Sequence, residues 1–266
     1  MAQQGRTAES EEAPVLVRRA GEHIGIVTLN RPRVLNAVNA EVAAVVRAAV
    51  EEFESDQRIR VGILTGSGRA FCAGADLKEF TAGRDIRVPR VGGFAGFTNT
   101  ARSKPWVAAL NGSAYGGGTE LLLACDLAIA AAGTVIALSE VTKGLVALGG
   151  GVVRAPRRLP LAIANELLLT GEPMTAERAY ELGLVNRVVP ADSVLEEAIR
   201  LAGKIADASP FAVRTSLRLA SQTVDLPIDE MWRLNQEATQ ALHESGDFKE
   251  GPRAFVEKRK PRWQDI

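Results

Sequence analysis

Histidine is almost missing from this chain of 266 residues: only His23 and His243 occur. A Ser-His-Asp triad or a histidine-built metal site therefore has little to work with. Cysteine is equally scarce. Cys72 and Cys125 lie inside apolar segments with no close second pair, so buried free thiols in a reducing compartment, the cytoplasm, are expected rather than a disulfide. Excess charge of either sign is lacking: 32 basic residues balance 32 acidic ones, which gives no whole-molecule attraction to nucleic acid. No apolar run approaches the roughly 18 residues of a membrane span. Residues 1–14 are polar and acidic, without the apolar stretch of a secretory signal, and read as a disordered tail.

What the chain does have is glycine in clusters and a regular alternation of apolar segments. Residues 15–19 and 24–29 are β-type runs around a polar turn at 20–23, which predicts a hairpin. Asn39 is placed to cap a helix whose apolar residues Val42, Val46, Ala49, Val50 and Phe53 recur at three- and four-residue spacing. Strands are expected at 61–65, 106–110 and 127–131, with helices between them, a pattern that favours parallel pairing. Residues 71–76 read as a turn, and 81–100 are glycine-rich and weakly patterned. From about residue 160 onward the pattern is helical: 161–170, a helix capped by Thr175, 192–208, and further helices after Ser209-Pro210 and from Asp229. The division expected is a tail at 1–14, an α/β core at 15–205 and a helical region at 206–266.

Three features can combine into chemistry. Ala73-Gly74-Ala75-Asp76 is a small-residue turn after a strand. Asn111 to Glu120 runs from an apolar strand through Gly116-Gly117-Gly118 into a helix whose first turn carries a carboxylate. Ser139-Glu140 is followed by a second glycine triplet, Gly149 to Gly151. Bare backbone turns and helix starts direct N–H groups outward, where they can hold developing negative charge. Taken singly, Glu120 is equally a partner for the helix dipole, Glu140 a solvated helix-start residue, and Asp76 a helix cap. Taken together, two amide donors and two carboxylates suit proton exchange with carbon and water.

These motifs resemble those of the enoyl-CoA hydratase/isomerase, or crotonase, superfamily: an A-G-A-D turn, then N-G-x-x-x-G-G-G-x-E, then a second glutamate 20 residues on. The likeness extends from about Val15 to the C-terminus, including Leu29-Asn30-Arg31-Pro32 and Ala254 to Arg259. It implies a crotonase-like α/β spiral of ββα units with a helical C-terminal trimerisation region, forming homo-trimers or hexamers. It implies further that the N–H groups of Ala73 and Gly117 form an oxyanion hole for an acyl-CoA thioester. Glu120 would orient and activate water, and Glu140 would exchange a proton with the α-carbon. Gly74, Ala75, Asp76, Arg33, Leu35 and Lys258 match substrate-contacting positions, with Arg31 and Arg33, beside Leu35, matching the nucleotide-contacting loop and Lys258 often reaching a neighbouring subunit. Each cation reads equally as an ordinary surface residue.

The activity so implied is reversible hydration of a 2-enoyl-CoA to a 3-hydroxyacyl-CoA, in fatty acid β-oxidation, with no metal or redox cofactor, no nucleic acid and no membrane partner. Alternatives are a carnitinyl-CoA dehydratase-like activity, which the stretch from Lys143 to Pro160 resembles, a double-bond isomerase, and a non-catalytic acyl-CoA- or RNA-binding relative. One departure stands out. Where family hydratases have a Pro-Gly step whose amide helps hold the attacking water, this chain has Ala147-Leu148.

Overall fold

The computed structural model describes residues 13–82 and 92–264, so all but the last two residues of the expected tail, and part of the 81–100 segment, lie outside it. Ten strands occur among the described residues: β1 (Val15–Ala20), β2 (Ile24–Leu29), β3 (Val61–Gly66), β4 (Ala70–Cys72), β5 (Trp106–Leu110), β6 (Ser113–Tyr115), β7 (Leu127–Ala131), β8 (Val135–Ala137), β9 (Met174–Thr175) and β10 (Arg187–Val189). The helices are α1 (Ala40–Ser55), α2 (Leu77–Thr81), α3 (Gly117–Ala124), α4 (Gly151–Arg158), α5 (Leu161–Thr170), α6 (Ala176–Glu181), α7 (Val194–Ala206), α8 (Pro210–Gln222), α9 (Ile228–Glu244) and α10 (Gly246–Val256).

The expected hairpin forms, with Val15 opposite Leu29. The large sheet then continues in parallel, in the order β1-β2-β3-β5-β7-β10. Successive side chains of a strand face opposite ways, and the inner strands β2, β3, β5 and β7 are apolar on both faces because both are covered. Ile24, Ile26, Val61, Ile63, Val107 and Ile129 pack against Val194, Ala198 and Ala202 of α7. The residues between them, such as Val27, Leu64, Ala108 and Leu110, join Val46, Val50 and Phe53 of α1 in the second core. Asn39 caps α1 as expected, its side chain accepting from the Val42 N–H at 3.0 Å.

A second sheet, which the sequence pattern does not reveal, has the order β4-β6-β8-β9 and is parallel except for β8 with β9. The 71–76 segment is therefore corrected: it starts within β4 and turns only after Cys72. The chain passes from a strand of the large sheet to one of the small sheet three times, β3 to β4, β5 to β6 and β7 to β8. This is the spiral of ββα units. Helices α8 to α10 follow, with Ser209 capping α8 at the Ala212 N–H and Thr175 capping α6 at the Arg178 N–H. Both cysteines are buried and unpaired. No described helix is long and apolar enough to cross a membrane.

Candidate active site

The three sequence motifs meet because each follows the carboxyl end of a neighbouring parallel strand of the small sheet. β4 ends at Cys72 and leads into 73–76; β6 ends at Tyr115 and leads into 116–120; β8 ends at Ala137 and leads into Ser139-Glu140. Crevices beyond the carboxyl ends of parallel strands are the usual ligand sites of such sheets. Thr119 fastens the arrangement: its hydroxyl donates within 2.9 Å to the carbonyls of both Ala114 on β6 and Ala137 on β8. Ala73, Gly74, Ala75, Gly117, Glu120 and Glu140 all line one cleft.

The two backbone turns almost touch. A Cβ on Gly74, which has φ +90°, would lie 3.0 Å from the Gly117 nitrogen. Gly117 is the first residue of α3, and its N–H, like that of Ala75, makes no hydrogen bond to any described residue. The Ala73 N–H, in contrast, donates to the Leu35 carbonyl at 2.9 Å, so the expectation for Ala73 is corrected. The 35–38 loop lies along the turn, Val38 N–H donating to Gly74 O and Asp76 N–H to Val38 O. Paired on that side, the turn leaves the Ala75 N–H, with that of Gly117, without a partner among the described residues, and both residues line the cleft.

Glu120 is 3% exposed. Its Oε1 accepts from the Gly151 N–H at 2.9 Å, and Gly149 supplies a second backbone donor. Burial drives its pKa up to about 7, against the pull of the Gly151 amide; Glu140 adds to the rise, and the Gly149 amide and Arg154 oppose it. The second glycine triplet is thus a cradle for the Glu120 carboxyl. The sequence signal for it was a glycine run just before a helix start.

Glu140 sits in a 3-10 turn, Ser139–Lys143. Its Oε1 approaches to 3.3 Å the point where a Gly116 Cβ would stand. Its Oε2 is buried with no hydrogen-bond partner among the described residues. Burial raises its pKa, with its own backbone amide and Lys143 acting the other way. An unpartnered carboxyl oxygen beside two unspent amides can take or give a proton.

Other expected contacts lie elsewhere. Asp76 is occupied: Oδ2 pairs with Arg31 Nη1 at 3.0 Å and Oδ1 accepts from the Lys78 N–H at 3.3 Å, so its carboxyl caps α2 and anchors the 31–38 loop. Arg33 is exposed, Leu35 serves through its carbonyl, and Lys258 is exposed beyond α10; none of the three lines the cleft. Leu148 does line it, 78% exposed, but its N–H donates to the Val146 carbonyl at 2.8 Å, so the amide at this step is spent. Sequence reasoning missed Phe94. Its ring occupies the space a Cβ on Gly117 would need, and its Cβ lies 2.8 Å from the corresponding point at Gly149. No cluster of metal-ligating side chains occurs among the described residues.

Fold and cleft together place two carboxyls, and two amides unpartnered among the described residues, in one crevice of a ββα spiral. The Enoyl-CoA hydratase/isomerase family model matches residues 19–266, and the chain belongs to that family. It is 41% identical over 246 residues to a carnitinyl-CoA dehydratase of Proteus mirabilis, covering 90% of this chain and 94% of the relative. It is 38% identical to an enoyl-CoA hydratase of Mycobacterium tuberculosis, covering 97% and 99%. A crystal structure of an enoyl-CoA hydratase from the same organism superposes with a TM-score of 0.92 at 44% identity, covering 96% and 100%.

Proposed function

We propose that the protein is a hydro-lyase that adds water reversibly to a 2-enoyl-CoA, giving a 3-hydroxyacyl-CoA. The observation that carries this reading is the convergence of Glu120 and Glu140 on the unspent N–H groups of Ala75 and Gly117. The thioester oxygen sits between the two amides. A carboxylate takes a proton from water as the water oxygen bonds to the β-carbon, and the alkene electrons move to the thioester oxygen as an enolate. The amides stabilise that charge as it appears, and loss of one such donor costs about 100- to 1000-fold in rate. Glu140 then returns a proton to the α-carbon. Burial raises both carboxyls, and the Glu140 charge adds to the rise at Glu120, which brings Glu120 to about 7, where it can give or take a proton near neutral pH.

With the Leu148 amide spent, the water is held by the carboxyls themselves, Glu120 fixed in its glycine cradle. No step calls for a metal or redox cofactor. The two buried thiols suit a reducing cytoplasm. By family likeness the working form is a homo-trimer or a dimer of trimers. A carnitinyl-CoA substrate is the second reading, favoured by the 41% identity to a carnitinyl-CoA dehydratase. Spectrophotometric assay on crotonyl-CoA, other enoyl-CoAs and carnitinyl-CoA separates the two. Glu120→Gln and Glu140→Gln are each expected to lose about 100- to 10,000-fold in kcat while still binding acyl-CoA. Near-normal turnover in either variant removes its assigned role, and products without solvent oxygen from heavy-oxygen water would mean isomerisation.

A further inference from the structure

Arg154 stands three residues after Gly151 in α4, outside the three motifs that meet at the cleft. Its guanidinium folds back over the helix start: a Cβ on Gly150 would collide with Nη1. Nη2 donates to the carbonyl of Thr98. Thr98 closes the turn that carries Phe94, its hydroxyl accepting from the Phe94 N–H at 2.9 Å. That turn is anchored in the core through Phe97, which meets Trp106 edge-on at 5.0 Å. The other end of the link is the start of α4, where Gly151 holds Glu120. One side chain thus joins two pieces of cleft wall that lie over 50 residues apart in the chain.

The geometry points to Arg154 as a positioning residue: it locks the Phe94 turn onto the helix start that cradles Glu120, and it fixes a positive charge beside that carboxyl. The inference rests on the acid/base role proposed for Glu120. The charged groups that face Glu120 are few. Glu140, from the 3-10 turn, disfavours its ionisation, and Arg154, from α4, favours it. Cys72, packed beneath Gly118, is neutral, its thiol pushed up to about 12 by burial. Arg154 itself faces Arg102, Arg157 and Arg158; burial foremost, then these neighbours, lower its pKa, yet a guanidinium stays charged at neutral pH. Removing Arg154 takes away the positive charge that favours ionised Glu120 and leaves the Gly149 and Gly151 amides alone against burial and Glu140.

The test is an infrared titration of the Glu120 carboxyl band in the full-length protein, identified by subtracting the Glu120→Gln spectrum. Arg154→Met and Arg154→Gln are expected to move the Glu120 midpoint upward by about half a pH unit or more, and Arg154→Lys to leave it near wild type. Amide hydrogen exchange over 92–100 is expected to accelerate in Arg154→Met. An unmoved midpoint in Arg154→Gln, or an equal shift in Arg154→Lys, overturns the electrostatic role. Unchanged exchange in Arg154→Met overturns the tie to the Phe94 turn; should that variant fail to fold, the Gln variant is measured instead. The titration needs no turnover, so wild-type inactivity on every acyl-CoA tested counts against the hydratase reading alone.

Discussion

Burial makes Glu120 useful and costly at once. A carboxyl titrating near 7 can act as acid or base at neutral pH, but ionising it inside the fold is harder than in the unfolded chain, where its pKa is 4.5. Below pH 4.5 both states are protonated and nothing is lost. As pH rises from 4.5 through 7 the unfolded chain ionises first, and stability falls. Glu120→Gln, whose amide oxygen still accepts from Gly151, is therefore expected to be more stable than wild type at pH 8, by on the order of 2–3 kcal/mol, and no more stable at pH 4. Thermal melts at the two pH values check this; equal gains at both would mean that the carboxyl's ionisation is not the source. At this scale both glutamates were legible, because their spacing from the glycine turns is a property of the local chain. Which amide of the turn stays unpaired was not. Ala73 and Ala75 look alike in sequence, and only the distant 35–38 loop, by engaging the Ala73 N–H, decides between them.

Strand ends do the work of convergence. The large-sheet strands show themselves as apolar runs, and α1 by its Asn39 cap and spacing, but β4, β6 and β8 have three residues each, too few to display a period of two. Their adjacency, which brings three motifs to one cleft, follows from long-range pairing that no local pattern encodes. The glycine triplet at 116–118 records how tightly these elements approach. A Cβ on Gly118 would collide with the Cys72 carbonyl at the end of β4, which is backbone and cannot step aside. A Cβ on Gly117 would strike the Phe94 ring, a side chain able to turn away. Gly118→Ala is thus expected to destabilise by about 1–3 kcal/mol, and Gly117→Ala by less, with Phe94→Ala relieving the second and not the first. Melting temperatures of the four variants decide it. Equal losses for the two alanines, with no relief from Phe94→Ala, would place the close approach elsewhere.

At the scale of the whole molecule, the proposed trimer makes a demand on the C-terminal region that can be measured. Lys258, which family likeness assigns to the ligand, stands exposed and away from the cleft of its own chain. Close by, the end of α10 exposes Phe255 at 85% and Val256 at 79%, while Trp232 on α9 is 62% exposed. Exposed apolar side chains mark an association surface where they form a contiguous patch, which the proposed trimer would require of them. In the proposed trimer, burying them would bring one chain's α10 to a neighbour, and with it Lys258 to the neighbour's acyl-CoA. Two consequences can be measured together. Phe255→Glu should shift the mass seen by light scattering from a multiple of three chains toward the single 28.3 kDa chain. Lys258→Ala should weaken acyl-CoA binding in the assembled protein by roughly threefold to tenfold, the size of one partly exposed phosphate contact. Added to Phe255→Glu, Lys258→Ala should have no further effect, because a lysine that acts across an interface loses its target when the interface is lost. If the lysine effect persists undiminished in the separated chain, Lys258 serves its own site, and the α10 surface covers something other than a neighbour's cleft.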